Sequence, residues 1–349
     1  MKKIVLAIIV IAFSFQLKAQ DTVKVKTNLT PEQEAETIYN TALEMMGKKE
    51  YAGAIDNFSK AITLNPLFDK AFLNRGFAKY ENKNNDDAIT DFNTSNSMKP
   101  SADAYFGKAQ CFYAMNKKDS CAQNLVKATI LDDKYAKAYY LQGQLNFENK
   151  QYKEAIESYN RAIVAKPDYG YAYNDRASAK KQMGDEAGAI ADYEKAVAND
   201  NKLFFAYNNL GSAKRSKGDN DGAIAAYNKA IALKPDYYMA LNNRGSAKLN
   251  KKEFASAISD FEAALKIKPD YVLAMNNMAS AYIKKQDYKA AEEWCTKALF
   301  LDEKAGACYL NRGIAKQMLK DEAGACADWK KAAELGMEIG KSYSSGLCD

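Results

Sequence analysis

The sequence predicts an all-helical solenoid of about nine helix-turn-helix repeats. Three observations carry this prediction. The stretch from Phe204 to Pro235 returns 34 residues later as the stretch from Tyr238 to Pro269. Small and aromatic residues recur at fixed places within that period, at the spacing of helix faces. Five of the six prolines fall at one position of the repeat, where a helix has to end.

Composition excludes several classes of function. The 349 residues are 47% hydrophobic and 27% charged, which is typical of a folded chain. The net charge of +6 is spread along the whole length and is too dilute to indicate a nucleic-acid partner. Histidine is absent, so no Ser-His-Asp or Cys-His nucleophile and no His-containing zinc site can form. We expect no enzyme activity, because repeats leave no room for a catalytic domain, and no cofactor.

Residues 1–19 are typical of a secretory signal peptide. Two lysines precede an apolar run from Ile4 to Phe15, which is too short to span a bilayer. We place cleavage after Ala19, with cleavage after Gln20 as the nearest alternative and an uncleaved signal anchor as the other. The ending Lys-Ala-Gln resembles signals common in Bacteroidetes-type bacteria. The sequence thus predicts an exported protein, either periplasmic or extracellular or outer-membrane associated, without stable membrane insertion after cleavage.

Residues 20–34 are predicted to form a leader arm and the start of the first helix. The leader is polar and alternates through Thr-Val-Lys-Val-Lys. Thr30 can cap a helix, Pro31 suits its first position, and Gln33 can close a capping box.

The repeat array is predicted over residues 35–337, followed by a C-terminal cap or tail over 338–349. All steps between units are 34 residues except the second, which is 33. Position 8 is always Gly or Ala, positions 20 and 27 are Ala in eight units, and position 24 is aromatic in seven. The units begin at Ala35, Asp69, Ala102, Ala136, Gly170, Phe204, Tyr238, Val272 and Gly306.

This pattern predicts a helical hairpin in each unit. Positions 4, 8 and 11 lie on one face of a first helix, and positions 20, 24 and 27 on one face of a second. Small residues at 8 and 20 let the two backbones approach, and aromatic residues fill the space beside them. Gly184, Gly218 or polar residues make the turn, and the proline at position 32 ends the second helix.

These residues resemble the tetratricopeptide repeat family, which has this period and these small and aromatic positions. The resemblance covers roughly residues 33–337 and implies a right-handed α-solenoid that binds other proteins. Unit 3 departs most, with Cys121, Leu125 and Asp133 at positions 20, 24 and 32. The short step into unit 3 is open to two interpretations, a looser joint or ordinary sequence drift.

The six cysteines are Cys111, Cys121, Cys295, Cys308, Cys326 and Cys348. An even number in an exported chain permits disulfides. We prefer the pairs Cys295–Cys308 and Cys326–Cys348, and a Cys111–Cys121 bridge is geometrically conceivable. The alternative is that buried thiols stand in for alanine. No C-x-x-C pair is present, so we expect no zinc site.

The first helices are expected to line a concave surface, and asparagine recurs on it. An amide offers donors and an acceptor, so a column of asparagines can hold an extended peptide by its backbone. Asparagine at position 6 resembles the asparagine ladder of superhelical tetratricopeptide repeat proteins. The predicted partner-binding residues are Asn174, Phe205, Asn208, Asn209, Ser212, Arg215, Asn242, Asn243, Asn276 and Asn277. The alternative is that these asparagines serve only solubility or local hydrogen bonding.

The sequence therefore predicts a protein–protein interaction scaffold of the bacterial cell envelope that binds a peptide or partner protein in an Asn-rich groove. The alternative function is binding of glycan or envelope polymer through groove aromatics such as Tyr171 and Phe205. Eight of the 23 tyrosines lie at packing positions 4 and 24, which weakens that alternative.

Overall fold

A computed structural model describes residues 29–348, and these form helices and turns without a strand. The prediction of an all-helical fold is confirmed. The signal-peptide region and most of the leader arm lie outside the described residues. The helices are α1 Pro31–Gly47, α2 Tyr51–Leu64, α3 Asp69–Glu81, α4 Asn85–Met98, α5 Ala102–Ala114, α6 Lys118–Leu131, α7 Ala136–Glu148, α8 Tyr152–Ala165, α9 Gly170–Gln182, α10 Glu186–Asn199, α11 Phe204–Ser216, α12 Asn220–Leu233, α13 Tyr238–Asn250, α14 Phe254–Ile267, α15 Val272–Lys284, α16 Tyr288–Leu301, α17 Gly306–Met318, α18 Glu322–Glu334 and α19 Glu338–Leu347.

Each odd-numbered helix from α1 to α17 packs on the even-numbered helix that follows it. The closest approach joins position 8 to the aromatic ring at position 24. A Cβ atom added to Gly245 would lie 2.6 Å from the ring of Phe261, and Gly211 faces Tyr227 in the same way. Both rings are fully buried. A small residue at position 8 is therefore a packing requirement of the hairpin, and units with alanine there, such as Ala177 facing Tyr193, meet it as well.

The turn inside each hairpin uses a left-handed residue at position 15. Only two turns have glycine there, Gly184 at φ 82° and Gly218 at φ 83°. Most of the others use lysine, as at Lys150 with φ 60°. Backbone N–H groups of this turn return to the end of the first helix, as from Gln151 to the carbonyl of Asn146 at 2.9 Å. These bonds satisfy carbonyls that the helix end leaves open.

The described chain forms two compact units, one ending at Lys99 and the other beginning at Pro100. The first contains two hairpins, α1–α2 and α3–α4. The second contains the remaining seven hairpins and α19. The boundary falls at the 33-residue step between sequence units 2 and 3.

Helix α19 packs on α18 and closes the second compact unit. The ring of Tyr343 stacks on the buried Trp329 at 4.9 Å between centroids. Gly340 lies against the backbone of α18, because an added Cβ would be 2.9 Å from the nitrogen of Ala333. A disulfide links Cys326 in α18 to Cys348, which directly follows α19.

The other cysteines are not disulfide-bonded, so the predicted Cys295–Cys308 pair and the conceivable Cys111–Cys121 bridge are wrong. All four are buried thiols. Cys308 occupies position 3, which is alanine in units 2 to 8, and it packs in one core cluster with Cys295. Burial, with smaller electrostatic contributions, raises the pKa of Cys308 to about 11. Cys111, Cys121 and Cys308 therefore fill positions that are alanine in most units, whereas Cys295 stands at position 24, which is aromatic in seven units.

Across residues 29–348, the apolar stretches of the helices are too short to form a membrane span.

Candidate functional site

The first helices of the second compact unit carry a row of hydrogen-bonded amides. Position 6 of one repeat donates from its side-chain nitrogen to the side-chain oxygen at position 5 of the preceding repeat. We call this row the asparagine ladder. Its four bonds are Asn209 Nδ2 to Asn174 Oδ1 at 3.1 Å, Asn243 to Asn208 at 3.0 Å, Asn277 to Asn242 at 2.9 Å and Asn311 to Asn276 at 2.9 Å.

The two positions of the ladder differ in accessibility. Asn174, Asn208 and Asn242 at position 5 are buried, with 4%, 8% and 1% of their surface exposed. Position 6 is half-buried, as at Asn209 and Asn243. Asn276 is the half-buried exception at position 5. Each position 6 amide gives a hydrogen to the ladder and has a second hydrogen and a carbonyl oxygen. Asn277 also donates to Ser246 Oγ at 3.3 Å, and Asn243 Oδ1 accepts from Asn242 Nδ2 at 3.5 Å. Position 5 therefore holds the row in register, and position 6 is the more accessible position.

Other side chains continue the same pairing where asparagine is absent. At the start of the row, Tyr140 takes position 5 and Asp175 takes position 6, with the hydroxyl donating to Asp175 Oδ2 at 2.7 Å. In the first compact unit, Asn74 Nδ2 donates to the hydroxyl of Tyr39 at 2.8 Å. The pairing of positions 5 and 6 thus links the first helices of units 1 and 2 and those of units 4 to 9.

An apolar edge and a polar floor flank the ladder. The ring of Phe205 at position 2 lies 5.6 Å from that of Tyr171, which is 45% exposed. Met239 and Leu273 continue this edge at 38% and 50% exposure. Position 9 carries serine, and Ser212 Oγ lies 3.2 Å from the hydroxyl of Tyr227.

Arg215 is a cation on the same helix face. Its guanidinium acts on the hydroxyl of Tyr227 both as a charge and as a hydrogen-bond donor. Burial nevertheless raises the pKa of Tyr227. The Nε of Arg215 is buried and has no partner among the described residues. Ser212, Tyr227 and Arg215 form a polar group beside Asn209.

A second polar motif lies away from the ladder and joins the two helices of four hairpins. An arginine at position 7 forms a two-pronged ion pair with an aspartate at position 23, and a lysine at position 11 binds the same carboxylate. In unit 5, Arg176 contacts Asp192 at 2.6 and 2.8 Å and Lys180 contacts it at 2.8 Å. The same triad occurs as Arg75–Lys79–Asp91, Arg244–Lys248–Asp260 and Arg312–Lys316–Asp328.

The triad also reaches the preceding repeat. Arg176 Nη1 donates to Asn160 Oδ1 at 2.6 Å, and Arg244 donates likewise to Asn228 at 2.7 Å. Burial acts to raise the pKa of Asp192, but hydrogen bonds and charge from Arg176 and Lys180 outweigh it and the pKa is lowered. These aspartates are saturated by cations of their own hairpin, so the triad is structural.

Sequence reasoning missed the triad and the use of ladder amides between repeats. The signal for the triad was available, because arginine and aspartate recur 16 residues apart in four units. The signal for the ladder bonds was weaker. A bond between residues 35 apart depends on how neighbouring repeats pack, and the sequence shows only that asparagine recurs.

Protein-family models for the tetratricopeptide repeat match four segments, residues 136–169, 170–202, 211–252 and 248–305. No curated protein matches the chain. The matched segments include Asn174, Asn242, Asn243, Asn276 and Asn277 of the ladder, whereas Asn208, Asn209 and Asn311 lie outside them.

Solved structures of repeat proteins are similar in fold. A tetratricopeptide repeat protein from Parabacteroides merdae is 17% identical, with a TM-score of 0.57 over 71% of this chain and 99% of that one. The C-terminal part of a repeat-containing protein from Cytophaga hutchinsonii is 19% identical, with a TM-score of 0.56 over 68% and 98%. The APC/C hetero-tetramer Cut9–Hcn1 is 14% identical, with a TM-score of 0.57 over 93% and 78%. The chain therefore contains tetratricopeptide repeats, whose fold indicates a protein–protein interaction scaffold.

Proposed function

We propose that the asparagine ladder of α9, α11, α13, α15 and α17 binds a peptide segment of a partner protein in an extended conformation. The observation that supports this is the row of one half-buried amide per repeat, held in register by its bond to the preceding repeat. Amides supply both a donor and an acceptor, which are the groups that a peptide backbone requires.

Spacing supports the same proposal. Packed helices lie about 8–10 Å apart. An extended chain advances about 3.3 Å per residue, so one ladder rung matches roughly three peptide residues. The apolar edge at Tyr171, Phe205, Met239 and Leu273 would receive side chains of such a peptide.

We also propose that the protein works outside the cytoplasm, in the envelope. The signal-like pattern of residues 1–19 supports export. The Cys326–Cys348 disulfide supports it independently, because disulfides persist in oxidising compartments.

The test needs a variant that blocks access to the ladder and keeps its hydrogen bonds intact. Ser280 lies at position 9 of α15, one turn beyond Asn276 and Asn277, and its replacement leaves every ladder amide in place. We therefore choose Ser280→Arg, with Ser256→Arg on the exposed start of α14 as the control of equal charge. The probe is a displayed library of random 12-residue peptides.

Peptides selected on the wild-type chain are expected to bind Ser256→Arg normally and to lose at least tenfold in affinity for Ser280→Arg. Equal binding to both variants would contradict the ladder as the site. If no peptide is selected, and a glycan array gives binding that Tyr171→Ala and Phe205→Ala abolish, the alternative function through groove aromatics replaces this one.

A further inference from the structure

One position of the ladder row, Asp175, carries a carboxylate that forms no ion pair within the described residues. Asp175 stands at position 6, where α11, α13, α15 and α17 have asparagine. Its two oxygens accept from the Tyr140 hydroxyl at 2.7 Å and from Asn174 Nδ2 at 2.9 Å. An asparagine would occupy the same position in the row, so linking the repeats does not require a carboxylate here.

No cation of the described chain neutralises this carboxylate. The nearest basic residues along the helix, Arg176 and Lys180, both form ion pairs with Asp192. The groups that act on Asp175 are its own burial and its bonds from Tyr140 and Asn174. A carboxylate has about four acceptor sites, and these bonds use two. A partly buried charge in this state is costly unless a cation binds it.

Phenol rings surround the carboxylate. The ring of Tyr140 lies 5.0 Å from that of Tyr169 and 5.9 Å from that of Tyr159. Burial first, and then the charge of Asp175, raise the pKa of Tyr169 to about 12, so its hydroxyl is neutral. The faces of such rings attract a cation. The ring of Tyr169 already has one, because Lys166 Nζ lies 5.1 Å from its centroid.

The carboxylate of Asp175 is accessible from the ladder face. Burial, and then the charge of Asp175, raise the pKa of the neighbouring Tyr159. Glu148 accepts from the hydroxyl of Tyr113 and is paired with Lys118 Nζ at 3.7 Å, so it is not counted in the subsite. Asp175 and Tyr140 are partly exposed, so a ligand on the ladder face can reach them.

We propose that Asp175 and Tyr140 form a subsite for one cationic side chain, lysine or arginine, of the peptide bound along the ladder. The ladder amides recognise main chain, which is common to all sequences, whereas this subsite selects a residue type. It also fixes the register, because only one rung of the row has a carboxylate. This inference rests on the proposed function and adds sequence specificity to it.

The test compares wild type with Asp175→Asn, which gives this rung the residue of the next four. Asp236→Asn is the control, because Asp236 is exposed in the α12–α13 loop and the charge change is equal. The same random 12-residue library is selected on all three chains. One selected basic peptide is then compared with its norleucine or citrulline analogue in binding to each chain.

Wild type and Asp236→Asn are expected to select peptides with lysine or arginine at one fixed register. Asp175→Asn should still select peptides, without that preference. It should bind the basic peptide about tenfold more weakly and the neutral analogue as well as wild type does. A double-mutant comparison of this kind isolates the charge contact.

Two failures are distinguishable. If all three chains select the same peptides, with or without a basic residue, the cation subsite is overturned while the ladder proposal stands. If none of the chains selects peptides, the ladder proposal fails and the subsite falls with it.

Discussion

Asn209, Asn243 and Asn277 each give one amide hydrogen to the preceding repeat, and so take part in both the fold and the proposed binding surface. Replacing one with alanine would also leave a buried oxygen on the preceding helix without its partner, at a cost of about 1–3 kcal/mol. A loss of binding in such a variant would not separate the two roles. A substitution at Ser280 avoids this difficulty.

Asp175 supplies a prediction about stability at the residue scale. Burial raises the pKa of its carboxyl, and the bonds from Tyr140 and Asn174 only partly offset this. The folded state therefore holds the proton more tightly than the unfolded chain. The resulting stability is present below the unfolded pKa, near 3.8, and is lost as pH rises through the folded pKa.

Asp175→Asn is therefore expected to raise the free energy of unfolding at pH 7 by about 1 kcal/mol, by removing a desolvated charge. The gain should shrink toward pH 4, where the aspartic acid becomes neutral. Urea unfolding at both pH values checks this, with Asp236→Asn as the control that changes little. A destabilised Asp175→Asn at pH 7 would show that the carboxylate contributes to the fold.

At the element scale, the hairpins of units 5 to 9 have two ways of joining positions 7 and 23. Units 2, 5, 7 and 9 use the arginine–lysine–aspartate triad. Units 6 and 8 use apolar side chains instead, such as Leu210 with Ala226 in one packed cluster. In unit 6 the position 11 lysine, Lys214, pairs at 3.0 Å with Glu194 of the preceding repeat. The alternation from unit 5 to unit 9 shows that either solution fits the same backbone.

Asp192→Ala tests the triad, because it leaves Arg176 and Lys180 without their anion in a partly buried site. We expect a loss of about 3–5 kcal/mol in the free energy of unfolding. The triple variant Arg176→Leu, Asp192→Ala and Asn160→Glu copies the arrangement of unit 6 and should recover stability to within about 1 kcal/mol of wild type. Chemical unfolding measures both. If the triple variant is as unstable as the single one, the two solutions are not interchangeable.

Across the whole molecule, the period and the packing positions were enough to predict the fold. Local patterns sufficed there, because a glycine at position 8 and an aromatic at position 24 meet within one hairpin. Cys295 and Cys308 were predicted to be bonded and are separate thiols, because their role depends on the packing around each side chain. The sequence also did not show that Asp175 has no cationic partner, because this depends on which side chains the neighbouring helices bring close to it.

The central claim is that a peptide lies along the ladder amides, and asparagine side-chain spectra test it most directly. The full chain would be labelled with ¹⁵N at asparagine only, and the side-chain amide signals followed as a library-selected peptide is added. We expect shifts at Asn209, Asn243, Asn277 and Asn311. Signals of asparagines on second helices, such as Asn199 and Asn228, should stay in place. Shifts confined to the second helices, with the ladder amides unchanged, would contradict the claim.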